Sequence, residues 1–191
     1  MPRRVCVYCA ASQRVDEHYR KLAEQVGARL AQAGYELVYG GGDVGLMGAL
    51  ARSVHRHGGR VVGVIPEALQ EREGIAYELA DALIVTQTLQ ERKAVMFTRA
   101  DAFLVLPGGF GTLEEFMEVL TLRQLGYHHK PILLLNYRGF FDLLLRFFER
   151  LRRERFVPDR WPFAVASTPD EAFALLERAL APTDSSHADR P

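Results

Sequence analysis

The feature that most constrains this chain is the alternation of short apolar runs with helix-period segments from end to end. Arg4–Tyr8, Glu36–Tyr39, Arg60–Ile65, Ala82–Val85, Ala102–Leu106 and Pro131–Leu135 read as strands, with a shorter one at Phe163–Ala166. Most are near-continuous Val, Ile and Leu, the pattern of strands covered on both faces. Between them, Asp16–Ala33, Val44–His57, Leu89–Ala100, Leu113–Leu125, Phe140–Arg153 and Asp170–Leu180 read as helices. In the first of these, Tyr19, Leu22, Ala23, Val26 and Leu30 fall at helical spacing, and Gly34 stops the helix. Such repetition implies an α/β fold, a doubly wound parallel sheet with helices on both faces. The connections are short, so one domain is expected over residues 1–180, with the polar 181–191 as a disordered tail. The greasy segment FFDLLLRFF, Phe140 to Phe148, reads as core helix rather than subunit interface, because apolar residues fill most of its faces.

Charge excludes some partners. The formal net charge is zero, so no basic excess recommends nucleic acid or a membrane surface. With no signal peptide and no apolar run of about 18 residues, a cytoplasmic location is expected. Cys6 and Cys9 form a lone CxxC inside the first strand run, where they read as buried thiols rather than a redox pair or zinc site. His55, His57, His128 and His129 read as surface or loop residues, and no metal site is expected.

Two glycine loops follow strands. The first, YGGGDVGLMG, runs from Tyr39 to Gly48, and Gly40, Gly42 and Gly45 fit G-x-G-x-x-G. The fingerprint of a nicotinamide or flavin site normally follows the first strand, with an acid closing the next. Here the loop follows the second strand, and Glu67 comes after Pro66, outside the strand. Tight strand-to-helix packing explains one or two of these glycines but not readily four. The second loop, LPGGFGTLEEF, runs from Leu106 to Phe116. Gly108, Gly109 and Gly111 let backbone N–H groups approach a ligand, and a helix opening near Thr112 offers the donors and partial positive charge that suit phosphate. No GK[ST] follows, so a monophosphate fits better than a triphosphate.

Thr112 and Glu115 also stand as T-x-x-E, a capping box. Spacing alone leaves Glu115 open between cap and chemistry. Thr88 and Glu91 repeat the pattern, and Arg92 and Lys93 then fall in a first helical turn, where cations oppose the helix dipole. They invite a counter-anion, either a ligand phosphate or a carboxylate such as Glu115; a solvated pair is the other reading.

Together these stretches resemble the LOG ("Lonely Guy") family, cytokinin-activating phosphoribohydrolases with a Rossmann-like fold, some of which carry an older lysine decarboxylase label. The family's GGGxxGLMG, ERK and PGGxGTxxE marks stand here at Gly40–Gly48, Glu91–Lys93 and Pro107–Glu115. GVIP at Gly63–Pro66, QLG at Gln124–Gly126 and KPILLLN at Lys130–Asn136 also match. The likeness spans Val5 to Leu180. It implies hydrolysis of an adenine-type nucleoside 5′-monophosphate, a cytokinin riboside monophosphate or AMP, to free base and ribose 5-phosphate. It assigns catalysis to Arg92 and Glu115, and phosphate and ribose binding to Gly108, Gly109, Phe110, Gly111 and Thr112. It puts Lys93, Thr121, Glu73, Ser12, Gly41 and Gly42 beside the nucleotide. It implies no cofactor and a homodimer.

The sequence departs from the family at Ala10-Ala11, where CGSS is common, and at Leu89-Gln90, where a histidine is frequent. Both touch substrate choice more than activity. The older label fits poorly: a lysine decarboxylase commonly needs pyridoxal phosphate on a lysine, and Lys21, Lys93 and Lys130 lack evident machinery for it. The rival reading is a non-catalytic carrier of nucleotide or molybdenum cofactor, which needs the glycine cradle but no carboxylate at Glu115.

Overall fold

The computed structural model describes residues 2–70 and 80–181. The apolar runs form seven strands: β1 (Arg4–Tyr8), β2 (Glu36–Tyr39), β3 (Val61–Pro66), β4 (Ala82–Thr86), β5 (Ala102–Val105), β6 (Ile132–Leu135) and β7 (Ala164–Ala166). All pair in parallel, in the order β4-β3-β2-β1-β5-β6-β7. The order reverses direction between β1 and β5, which run in register from Val5↔Ala102 to Tyr8↔Val105. Parallel sheets of this kind leave a crevice at the carboxyl ends of the strands where the order reverses.

The helices are α1 (Glu17–Gln32), α2 (Gly45–Arg56), the single turn α3 (Glu67–Gln70), α4 (Leu89–Arg99), α5 (Phe110–Gln124), α6 (Asp142–Arg153) and α7 (Pro169–Leu180). One buried cluster packs α1, α2 and α7 on one face of the sheet through Leu22, Leu30, Leu50 and Phe173. The other packs α4, α5 and α6 on the opposite face through Met96, Phe103, Phe116 and Phe148. Residues alternating along β1 divide between them: Val5 and Val7 face the first cluster, Cys6 and Tyr8 the second. This two-sided burial is why the strand runs are continuously apolar.

Four expectations need correction. The strand ends at Tyr8, so Cys9 lies beyond it; the thiols still sit on opposite faces, both buried and free. His128 lies in the loop between α5 and β6 but not at the surface: it is buried, with Nε2 2.9 Å from the Val119 carbonyl. The Phe140–Phe148 segment is only half core. Phe141 and Phe148 are buried, but Leu143 and Phe147 are 73% and 54% exposed, because the stripe extends beyond what the sheet can cover.

The fourth concerns the first glycine loop, whose glycines are packed against protein. A Cβ on Gly45, at φ +58°, would lie 2.5 Å from the Ala11 carbonyl oxygen, and one on Gly48 would lie 2.1 Å from that of Asp43. One on Gly41 would meet Ile65 and the Val64 backbone, and one on Gly40 would meet Arg92 Nη2 at 2.5 Å. Packing therefore accounts for four glycines of this loop, not one or two.

Candidate active site

β1 and β5 deliver two loops to the crevice where the strand order reverses. The β1 loop supplies Cys9 to Ser12, and the β5 loop runs into α5 through Gly108 and Gly109. Between them lies a cavity of about 600 Å³, within the size range of small-molecule sites. Ser12, Arg92, Lys93, Gly109, Phe110, Gly111, Thr112 and Glu115 all line it, so the fold brings most of the expected site together.

Gly109 takes the N-cap position of α5 in extended backbone, with no side chain capping the helix. The first N–H to bond within the helix is that of Leu113, which donates to the Gly109 carbonyl at 3.0 Å. The amides of the first turn thus lack intrahelical acceptors. A Cβ on Gly109 or Gly111 would meet no atom of the described residues within 4 Å. These two glycines leave open space over a helix N-terminus, in contrast to the packed first loop. Gly108 is different: a Cβ there would overlap Thr112 Oγ1 at 2.1 Å, so this glycine seats the threonine.

Of the two readings left open for Glu115, the capping box with Thr112 does not form. The helix starts two residues earlier, at Phe110, and Thr112 is turned inward and buried. Glu115 instead accepts a hydrogen bond from Arg92, Nη2 to Oε1 at 2.9 Å, with the two side chains 11% and 10% exposed. The similar T-x-x-E at Thr88 does cap its helix: the Glu91 N–H donates to Thr88 Oγ1 at 3.0 Å, and the Gln87 N–H donates to Glu91 Oε2 at 2.8 Å.

Arg92 is therefore not solvated. Its counter-anion is Glu115, and its Nε is buried with no hydrogen-bond partner among the described residues. Lys93 bonds Glu114 and also Glu118, the latter at 2.9 Å. Burial alone would push its pKa down, but these two carboxylates hold it above the ordinary value.

Burial lifts Glu115 from the usual carboxylate range to about 7; Arg92 opposes the rise and neighbouring Glu114 adds to it. A carboxyl poised near neutrality is suited to proton transfer at physiological pH. The thiol of Cys9, which also lines the cavity, is pushed far up by burial and by Glu115, and so stays protonated.

Other expected residues fall elsewhere. Gly41 and Gly42 belong to the packed loop and do not line the cavity. Thr121 sits six residues past Glu115, about 9 Å along α5, and its Oγ1 donates to the Met117 carbonyl at 2.7 Å. Glu73 lies outside the described residues, as do residues 182–191. The sequence reading missed the apolar wall formed by Met47, Leu69 and Leu89. These come from three helices, and only the register of β3 and β4 beside β2 brings them together. Among the described residues, no group of three or more His, Cys, Asp or Glu could hold a metal ion.

The fold and site define a doubly wound α/β protein whose strand-order crevice holds an open helix N-terminus and a largely buried arginine–glutamate pair. A family model described as "Possible lysine decarboxylase" matches residues 47–177. The chain is 44% identical over 182 residues to "Probable cytokinin riboside 5'-monophosphate phosphoribohydrolase LOGL5" of Oryza sativa subsp. japonica, covering 94% of this chain and 74% of that one. It is 43% identical over 175 residues to "Cytokinin riboside 5'-monophosphate phosphoribohydrolase LOG" of the same organism, covering 92% and 72%. The chain belongs to this LOG family. Among solved structures, the molybdenum cofactor carrier protein of Chlamydomonas reinhardtii superposes with a TM-score of 0.74 at 22% identity, over 95% of this chain and all of that one, a likeness of fold alone.

Proposed function

We propose that this protein hydrolyses the N-ribosidic bond of adenine-type nucleoside 5′-monophosphates, releasing free base and ribose 5-phosphate. The observation that carries this reading is the pairing of two open glycines, Gly109 and Gly111, with the buried Arg92–Glu115 pair in one cavity. The names of the relatives support the reaction class and include a cytokinin riboside monophosphate as substrate.

The 5′-phosphate sits on the first-turn amides of α5, where N–H donors and the helix dipole favour an anion. That anchor orients C1′ toward Glu115. The C1′–N bond breaks with its electron pair leaving on the base, so positive charge builds on the sugar. The Glu115 carboxylate stabilises that charge and takes a proton from the attacking water, whose hydroxide bonds to C1′. The departing base acquires the balancing proton. Arg92 holds the carboxylate through Nη2, and its free Nε serves the sugar hydroxyls or the leaving base. Arg92 stays charged, so it binds rather than shuttles protons.

Met47, Leu69 and Leu89 give the cavity an apolar wall that suits a purine or its alkyl substituent. A decarboxylase would need a lysine free to carry pyridoxal phosphate. Lys93 is held by two carboxylates, and Lys130 donates to the Phe97 carbonyl at 2.5 Å. A carrier would need the amide cradle but not a buried carboxylate gripped by arginine.

The protein works in the cytoplasm as a homodimer. Among the described residues no helix is long and apolar enough to cross a membrane. Phe110, 92% exposed at the cavity, and the Leu143 and Phe147 stripe on α6 offer apolar surface to a second copy. Sedimentation should find a dimer, and a Leu143→Glu/Phe147→Glu variant should sediment as a monomer; an unchanged dimer would remove α6 from the interface.

Incubation with a panel of nucleoside monophosphates, read by chromatography, tests the activity. Free adenine or its prenylated form should appear with an equal amount of ribose 5-phosphate. Release of no base from any member would contradict the proposal.

A further inference from the structure

A second cavity, of about 880 Å³, shares no lining residue with the candidate active site. It opens at the other end of the sheet, where β6 and β7 begin and α5 and α7 end. Its wall carries Arg123, His129, Arg160 and Arg178, and among the described residues no carboxylate lines it. Arg123 donates Nη1 to the Lys130 carbonyl, and Arg178 donates Nε to the Ala174 carbonyl at 3.2 Å. Neither these two nor Arg160 forms an ion pair among the described residues.

Gathering like charges in a recess without a counter-ion is unfavourable, and an anion relieves it. The effect registers at Arg123, whose pKa is lowered first by burial and then by the charge of Arg160. Beside the guanidinium groups stands Trp161, half-buried and packed at 5.4 Å against Phe163 and 5.9 Å against Phe148. Pro158 and Pro162 extend this apolar wall.

We propose that this recess is a second ligand site, which takes an oligophosphate bearing a flat ring, the chemistry of a nucleoside di- or triphosphate. Guanidinium forks match phosphate oxygens in bidentate geometry. Three arginines leave positive charge uncompensated by a monophosphate, whose charge is about −1.5 to −2 near neutral pH. A chain of two or three phosphates comes closer to balance. Trp161 and the prolines supply the surface against which a ring packs. The site is separate from the one that cleaves, although α5 runs between them, with Glu115 in its first half and Arg123 in its last turn.

Trp161 is the sole tryptophan, so its emission reports on this recess. The full chain is titrated with ATP, ADP, pyrophosphate and adenosine, following Trp emission and heat. ATP and ADP should bind saturably, pyrophosphate about tenfold more weakly, and adenosine not at all. Arg160→Ala/Arg178→Ala, at two exposed positions, should weaken ATP at least about tenfold while AMP hydrolysis keeps the parent rate. Gly111→Ala, which removes phosphate contacts in the candidate active site, should leave ATP binding unchanged. Absence of saturable emission or heat would overturn the proposal. So would parent affinity in the double arginine variant, or loss of ATP binding in Gly111→Ala, which would place the nucleotide in the active site.

Discussion

Arg92 Nη2 lies 2.9 Å from Glu115 Oε1, joining the first turn of α4 to the first half of α5 across the cavity wall. The contact settles two ambiguities together: the cation that opposes the α4 dipole is neutralised, and the glutamate that could have capped α5 is committed elsewhere. It also leaves a buried carboxyl and a part-buried guanidinium facing the same space, the arrangement the proposed chemistry uses.

The open glycines separate ligand space from protein packing. A methyl group on Gly111 meets no atom of the described residues, and alanine is the better helix former. Gly111→Ala should therefore unfold no earlier than the parent, with a gain of up to about 1 kcal/mol. It should lose phosphate contacts, raising KM by about 10- to 100-fold. Thermal denaturation and initial rates on one preparation check both halves; a stable variant with unchanged KM would put the phosphate elsewhere.

Gly40 acts through Arg92. A Cβ there would lie 2.5 Å from Arg92 Nη2, the far end of a flexible side chain, so the guanidinium shifts rather than the backbone. Gly40→Ala should lower kcat about 10²-fold while far-ultraviolet circular dichroism stays native. Loss of fold instead of rate would show that the loop, not the arginine, needs this glycine.

The pH profile carries a sign. In the proposed mechanism Glu115 acts as a carboxylate, and burial raises its pKa to about 7, so activity should rise with pH through a limb near that value. Glu114 contributes to the rise. Glu114→Gln should therefore move the limb to lower pH, whereas titration of the substrate phosphate, about one unit lower near pH 6, would not move. An unmoved limb would assign it to the substrate. The same shift has a stability sign. Because the folded pKa exceeds the unfolded one, Glu115 contributes most below the ordinary carboxylate pKa, and that contribution is lost as pH rises toward about 7.

Much of this was legible in the sequence because burial on both faces writes itself as apolar runs: the observed strands lie within a residue of the expected ones. Helix ends were less legible. Thr88 and Thr112 open similar T-x-x-E patterns, yet only Thr88 caps a helix. The difference is tertiary: Gly108 leaves room for Thr112 Oγ1, and α4 places Arg92 against Glu115. No local pattern contains either fact. The glycine loops misled in the same way, since Gly40 and Gly111 look alike in sequence while one meets an arginine and the other meets open space.

The most direct test of the account is single-turnover hydrolysis of AMP and a prenylated adenine nucleotide by Glu115→Gln beside the parent. Glutamine keeps the size of the side chain and can still accept from Arg92, so fold and nucleotide affinity should persist while the rate falls about 10²–10⁴-fold. Hydrolysis at the parent rate would make Glu115 a structural partner of Arg92 and contradict the mechanism.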